Sequence, residues 1–173
     1  MTFRIIVSDS SCLIDLHKTR LMEAFLGLPF EILMPDVMFE TELLSITPTE
    51  KQHWLDLGLK VENFPGEQVL EATAVRRQTP TLSDIDCFAY VLVRHREQAV
   101  LFTGDSRLRG YAETQGIEVH GLIWGLELMH QHQVCRTDAL LLAVQELLQD
   151  PLARLPKAEL ERLRKRLIAL TRT

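Results

Sequence analysis

Five short runs rich in apolar residues, at 4–8, 30–34, 59–64, 99–103 and 117–120, alternate with stretches of helical spacing. That alternation constrains the fold more than any other feature. Strands separated by helices are joined by crossovers of one hand and pair in parallel. The expected class is α/β with a mostly parallel central sheet. In such sheets ligands lie beyond the carboxyl ends of the strands, near the point where the strand order reverses.

The helical stretches carry start and stop signals. Ser10 or Ser11 offers an N-cap for a helix bearing Cys12, Leu13, Ile14 and Leu16, and a stretch at 20–26 stops at Gly27. Pro35 suits the first turn of a helix running to about Leu44, and Pro48 opens another through Leu57. A helix is expected over 67–77, Ser83 caps one reaching Arg94, and Gly104 turns the chain into one over 106–115. After His120 the pattern is helical alone, over 122–132, 138–148 and 156–170. Residues 1–120 therefore read as the α/β domain and 121–173 as a helical extension packed on it.

Composition narrows the class. With 46% apolar and 25% charged residues the chain is an ordinary globular one, and no apolar run approaches the roughly 18 residues of a membrane span. There is no basic n-region at the N-terminus, and Cys12, Cys87 and Cys135 form no CxxC pair, so free thiols and a cytoplasmic setting are expected. The net charge of −5 is uneven: from Arg154 onward seven basic residues face two acidic ones, leaving the body strongly acidic. A basic end meets nucleic acid or an acidic partner, or lies as a solvated helix face. No P-loop, GxGxxG or GxSxG is present. His130, His132 and Cys135 lack a second ligand pair for zinc, and Trp54 and Trp124 sit in apolar-periodic stretches that suit a core.

Acidic residues stand where strands end or helices begin: Asp9 in RIIVSDSSCLIDL, Glu40 in LMPDVMFETELL, Asp86 in TLSDIDCFAYVLV and Asp105 in AVLFTGDSRLRGYA. Gathered carboxylates raise one another's pKa and destabilise a fold. A divalent cation removes that penalty, and carboxylate oxygens suit Mg²⁺ or Mn²⁺. The expectation is a metal-dependent phosphoryl-transfer site.

These four segments, in this order and spacing, resemble the PIN-domain nucleases, many small members of which are toxin ribonucleases of toxin–antitoxin pairs. The resemblance covers roughly residues 3–120. It implies a three-layer α/β/α fold and a metal-dependent endoribonuclease, with Asp9, Glu40, Asp86 and Asp105 as the catalytic, metal-coordinating acids. Glu42 competes with Glu40 and Asp84 with Asp86; two residues on a helix are about 200° apart, so one of each pair faces the crevice. Glu40, five residues after Pro35, and Asp86, three after Ser83, are preferred. Thr103 and Ser10 lie beside the acids, and Arg107 and Arg109 are best placed to hold the RNA backbone, with Arg76, Arg77, Arg94 and Arg96 as a wider rim. The resemblance further implies a cognate antitoxin and a homodimer, formed through the apolar helices over 122–129 and 139–148.

Overall fold

A computed structural model describes residues 4–171, so Arg172 of the basic tail lies outside the described residues. Five strands form one sheet: β1 (Ile5–Ser8), β2 (Glu31–Pro35), β3 (Lys60–Glu62), β4 (Ala99–Phe102) and β5 (Val119–His120). All neighbours pair in parallel, in the order β3-β2-β1-β4-β5. From β1 the chain steps outward through β2 and β3, then returns to the other side of β1 for β4 and β5. The order therefore reverses between β1 and β4, and the crevice of the sheet opens beyond their carboxyl ends. Ser8 is level with Phe102. The Asp9 N–H then donates to the Phe102 carbonyl at 3.0 Å, carrying the ladder one residue past both strands.

Ten helices among the described residues cover this sheet: α1 (Ser10–Lys18), α2 (Met22–Leu26), α3 (Asp36–Thr41), α4 (Pro48–Asp56), α5 (Gly66–Gln78), α6 (Asp84–Arg94), α7 (Ser106–Thr114), α8 (Leu122–Gln131), α9 (Thr137–Gln149) and α10 (Lys157–Thr171). The fold is thus an α/β one with an all-parallel sheet and C-terminal helices, as the alternation implies, and it is PIN-like, as the resemblance implies. α6 packs on β1, β2 and β4 and carries α5 on its outer side, while α8 packs against α1 and α2. β1 and β4 are buried from both sides, which is why they read as unbroken apolar runs.

Three helix boundaries differ from expectation or refine it. Asp9, not Ser10 or Ser11, is the N-cap of α1: its carboxylate accepts the Ser11 N–H at 2.6 Å. α3 stops at Thr41 instead of continuing to about Leu44, with Glu42 as its C-cap at φ −108° and ψ −28°. α6 starts with a capping box, in which Ser83 Oγ accepts the Asp86 N–H at 3.0 Å and Asp86 Oδ2 accepts the Ser83 N–H at 2.8 Å.

The C-terminal helices spend their apolar faces inside the chain. Leu160, Leu163 and Leu167 of α10 are buried, and α10 packs against α9 and α8. Leu122, Leu126 and Met129 of α8 and Leu140, Ala143, Val144 and Leu147 of α9 are buried as well, leaving Leu142 half exposed. Gly125 lets α8 come down onto the sheet: a Cβ there would lie 2.9 Å from the Phe102 ring. That ring stacks on Phe25 of α2 with centroids 5.0 Å apart. Cys12, Cys87 and Cys135 are free; burial pushes the Cys87 thiol up to about 11, so it stays protonated at neutral pH. No described helix is long and apolar enough to cross a membrane.

Candidate active site

The site grows from the ends of β1 and β4. Asp9 follows β1 directly and is only 4% exposed, while Thr103 follows β4 and is fully buried. The Thr103 hydroxyl donates to Asp9 Oδ2, and Thr103 Oγ1 accepts the Asp105 N–H at 3.0 Å. On the other side, Ser11 Oγ donates to Asp9 Oδ2 at 3.1 Å and accepts the Gly104 N–H at 3.1 Å. A side chain at Gly104 would press on this serine, since a Cβ would lie 3.2 Å from Ser11 Oγ. The two strand ends are thus stitched together by hydroxyls whose focus is the Asp9 carboxylate.

Ser10 brings in a third element. Its hydroxyl, 8% exposed at the residue level, donates to Glu42 Oε2 and lies 3.3 Å from Asp9 Oδ1. Glu40 does not join this network. It is exposed, and its carboxylate makes no hydrogen bond or ion pair among the described residues. The preference for Glu40 rests on its spacing from Pro35; α3 ends at Thr41, and it is Glu42, at the C-cap, that reaches Ser10. Glu42→Gln is therefore expected to lower any activity of the site by at least about tenfold, and Glu40→Gln to leave it within twofold. Paired kinetics on the two variants check this, and an unaffected Glu42→Gln enzyme removes Glu42 from the site.

Burial and neighbouring charge disturb these acids together. Burial raises the Asp9 pKa first, the hydrogen bonds from Thr103 and Ser11 oppose it, and the Asp86 charge raises it further. Glu42 is raised by burial and by Asp9 and Asp86, against the Ser10 hydrogen bond. Asp9, Glu42 and Asp86, from three separate elements, are therefore close enough for their charges to act on one another. Asp84 points elsewhere: it is largely exposed and pairs with Arg76 at 3.2 Å. Asp105 caps α7, its Oδ1 accepting the N–H groups of Arg107 at 2.8 Å and Leu108 at 2.9 Å. Its link to Asp9 runs through its backbone and Thr103, and Oδ2 takes no hydrogen bond from the described residues.

Three of these acids also build helix starts, Asp9 for α1, Asp86 for α6 and Asp105 for α7. Each stands at the positive end of a helix, which lowers the cost of holding negative charge there.

Cations around the site are unequal. Arg107 is exposed beside Asp105 and makes no ion pair among the described residues. Arg109 is tied down: its guanidinium donates to the carbonyls of Thr103 at 3.4 Å and Val119 at 3.3 Å, and pairs with Glu113. It clamps β4 to β5 and is poorly free to hold a phosphate. Arg76, Arg94 and Arg96 pair with Asp84, Glu71 and Glu62. Periodicity gives no warning of those partners, which arrive from other elements.

The donor set is one of hard carboxylate oxygens, and the penalty that burial and neighbouring charge place on Asp9 and Glu42 is the kind that a divalent cation offsets. Among the described residues no three His, Cys, Asp or Glu side chains are grouped as a ready cage. The acids converge instead through the hydroxyls of Ser10, Ser11 and Thr103. In chemistry the residues fit Mg²⁺ or Mn²⁺; in arrangement they are gathered by hydrogen bonds.

No curated protein matches the chain. A family model, DUF3368, described as a PIN domain, matches residues 5–168 and so takes in α8, α9 and most of α10 along with the sheet. PIN domains are generally nucleases and typically use divalent metals. With its parallel sheet, its reversal between β1 and β4 and its acids gathered at that seam, the chain belongs to this PIN-domain family.

Proposed function

We propose that this protein is a metal-dependent endoribonuclease. The observation that carries the reading is the hydroxyl network at the β1–β4 seam that joins Asp9 to Glu42 through Ser10 and to Thr103, with the Asp9 and Glu42 carboxyls both raised by burial and by the Asp86 charge. A fold tolerates such a group when its charge has a use. Asp9, Glu42, Asp86 and Asp105 would hold Mg²⁺ or Mn²⁺, which when bound neutralises phosphate charge and makes water a better nucleophile. Hydrolysis joins a water oxygen to phosphorus and breaks the bond to the leaving oxygen, which departs with a proton.

The chain's own residues set the stage for that step. Thr103 and Ser11 fix both Asp9 oxygens, and Ser10 holds Glu42 against them. Arg107, exposed at the first turn of α7, is placed to meet a backbone phosphate. In this reading the protein is the toxin of a toxin–antitoxin pair, a setting drawn from the resemblance of its four acidic segments.

The test is cleavage of a mixed, structured RNA pool by the purified chain, with Mg²⁺, with Mn²⁺ and with chelator. Cutting inside the strand that requires either metal is the expected result. A folded chain that leaves the pool intact under both metals overturns the reading.

A further inference from the structure

A cavity of about 680 Å³ opens beside the acids, between the ends of β4 and β5, the start of α8 and the inner side of α10. Volumes of this size hold small molecules or single nucleotides. The lining includes Thr103, whose hydroxyl holds Asp9, together with Ser106, Arg154 and Arg162. His120 and Trp124 form one wall, stacked in parallel with centroids 4.1 Å apart and planes 9° apart. Trp54 is a core residue at 3% exposure, while Trp124 packs against the core, is only partly buried and also lines this space.

The charges that line the cavity are unevenly spent. Arg166 pairs with Glu127, and Arg109 is held by Glu113 and two carbonyls. Glu159 is the remaining acid on the lining, and Arg154 and Arg162 make no ion pair among the described residues. In a chain of net charge −5, a space with two unengaged arginines, an aromatic wall and a lining that shares Thr103 with the Asp9 network is suited to an anion that carries a ring.

We infer that this cavity receives one unpaired nucleotide of the RNA strand next to the scissile phosphate. The base lies against the His120–Trp124 wall, and Arg154 and Arg162 meet the phosphates that follow. Single strands are held in this way elsewhere, by aromatic faces and a cationic track. A base still paired in a duplex cannot turn its face to the wall, so the cavity selects single-stranded segments. The inference rests on the nuclease reading and assigns the basic C-terminal helix a part in it.

Fluorescence tests it directly. In the full chain carrying Trp54→Phe, Trp124 is the single tryptophan. Titration with a single-stranded oligoribonucleotide is expected to quench its emission. Arg162→Glu, on an exposed face of α10 where folding is not at stake, is expected to weaken binding roughly tenfold and raise KM with kcat unchanged. An oligomer abasic at every position should bind without quenching. Quenching as strong by a duplex, or by a free nucleoside monophosphate at the same affinity, overturns the assignment. RNA cleavage that is metal-dependent yet indifferent to Arg162→Glu, with no quenching, sinks this inference while leaving the nuclease reading intact. Quenching by RNA that the parent chain does not cut separates the two the other way.

Discussion

Asp9→Asn is expected to lower RNA cleavage by on the order of 10³-fold or more, the scale of removing a preorganised charge from a reaction centre, while the protein stays folded. The expected stability is the less obvious half. Asn is as good an N-cap as Asp, so α1 keeps its start. The substitution removes a carboxylate that is 4% exposed and raised by burial and by Asp86. A group whose folded pKa lies above its unfolded value binds more protons when folded, so wild-type stability falls as pH rises from the ordinary carboxylate range through the raised one. Asn has no such titration. The melting temperatures of the two proteins should therefore be close near pH 4 and should separate above it, with Asp9→Asn the more stable in the absence of metal. Thermal melts from pH 4 to 7 in chelator, beside cleavage rates in Mg²⁺, check both halves. An Asp9→Asn protein that is less stable throughout would mean that the hydrogen bonds to Asp9 outweigh its burial. Undiminished cleavage would place the reaction elsewhere.

Phe102→Ala is expected to cost about 3–5 kcal/mol of stability, as truncation of a buried aromatic does. Phe102 is fully buried, stacks on Phe25, approaches Trp124 at 6.1 Å and sits under Gly125. Its carbonyl also receives the Asp9 N–H, so the same residue anchors the floor of the site. That loss is a large share of the 5–15 kcal/mol typical of a folded domain, and for a chain of this length it corresponds to a fall in Tm of roughly 10 °C. Gly125 supplies a sharper version. Gly125→Ala should cost about 1–3 kcal/mol in the wild type, because its Cβ meets the Phe102 ring. In the Phe102→Ala background the ring is gone, and the same change should cost little or recover some stability. Denaturant unfolding of the four proteins closes the cycle. Additive effects would mean that α8 does not bear on Phe102 as the geometry requires.

The sheet was legible because β1 and β4 are buried on both faces and have no alternation to confuse with other patterns. Ser83 and Asp86 were legible for a related reason: a capping box is local, written within four residues. What sequence leaves open depends on something distant. Spacing from Pro35 favours Glu40, while the contact of Glu42 with Ser10 depends on where α3 ends, one residue short of Glu42. Arg109 read as a phosphate holder because nothing in SRLRGYA reveals the carbonyls of Thr103 and Val119 beneath it. Trp124 reads as core from its apolar neighbours and does pack against the core, but its stacking on His120 comes from another element and is not written in the local sequence. Residues 121–173 read as a helical extension packed on the α/β domain, and which of their side chains line the cavity beside β4 and β5 is a matter of long-range packing that periodicity does not carry.

That Asp9 and Asp105 each cap a helix has a consequence for how such a protein ages. If a descendant of this chain gave up its chemistry, selection for a stable fold would still act at these positions. The replacements tolerated there would be Asn, Ser or Thr, the residues that can accept the same N–H bonds, and not a random sample. A retired copy would thus keep the outline of the site with its charges removed. Glu42, which starts no helix, would be free to drift first. The first sign of lost activity in a relative would then be expected at position 42, while the aspartates still looked intact.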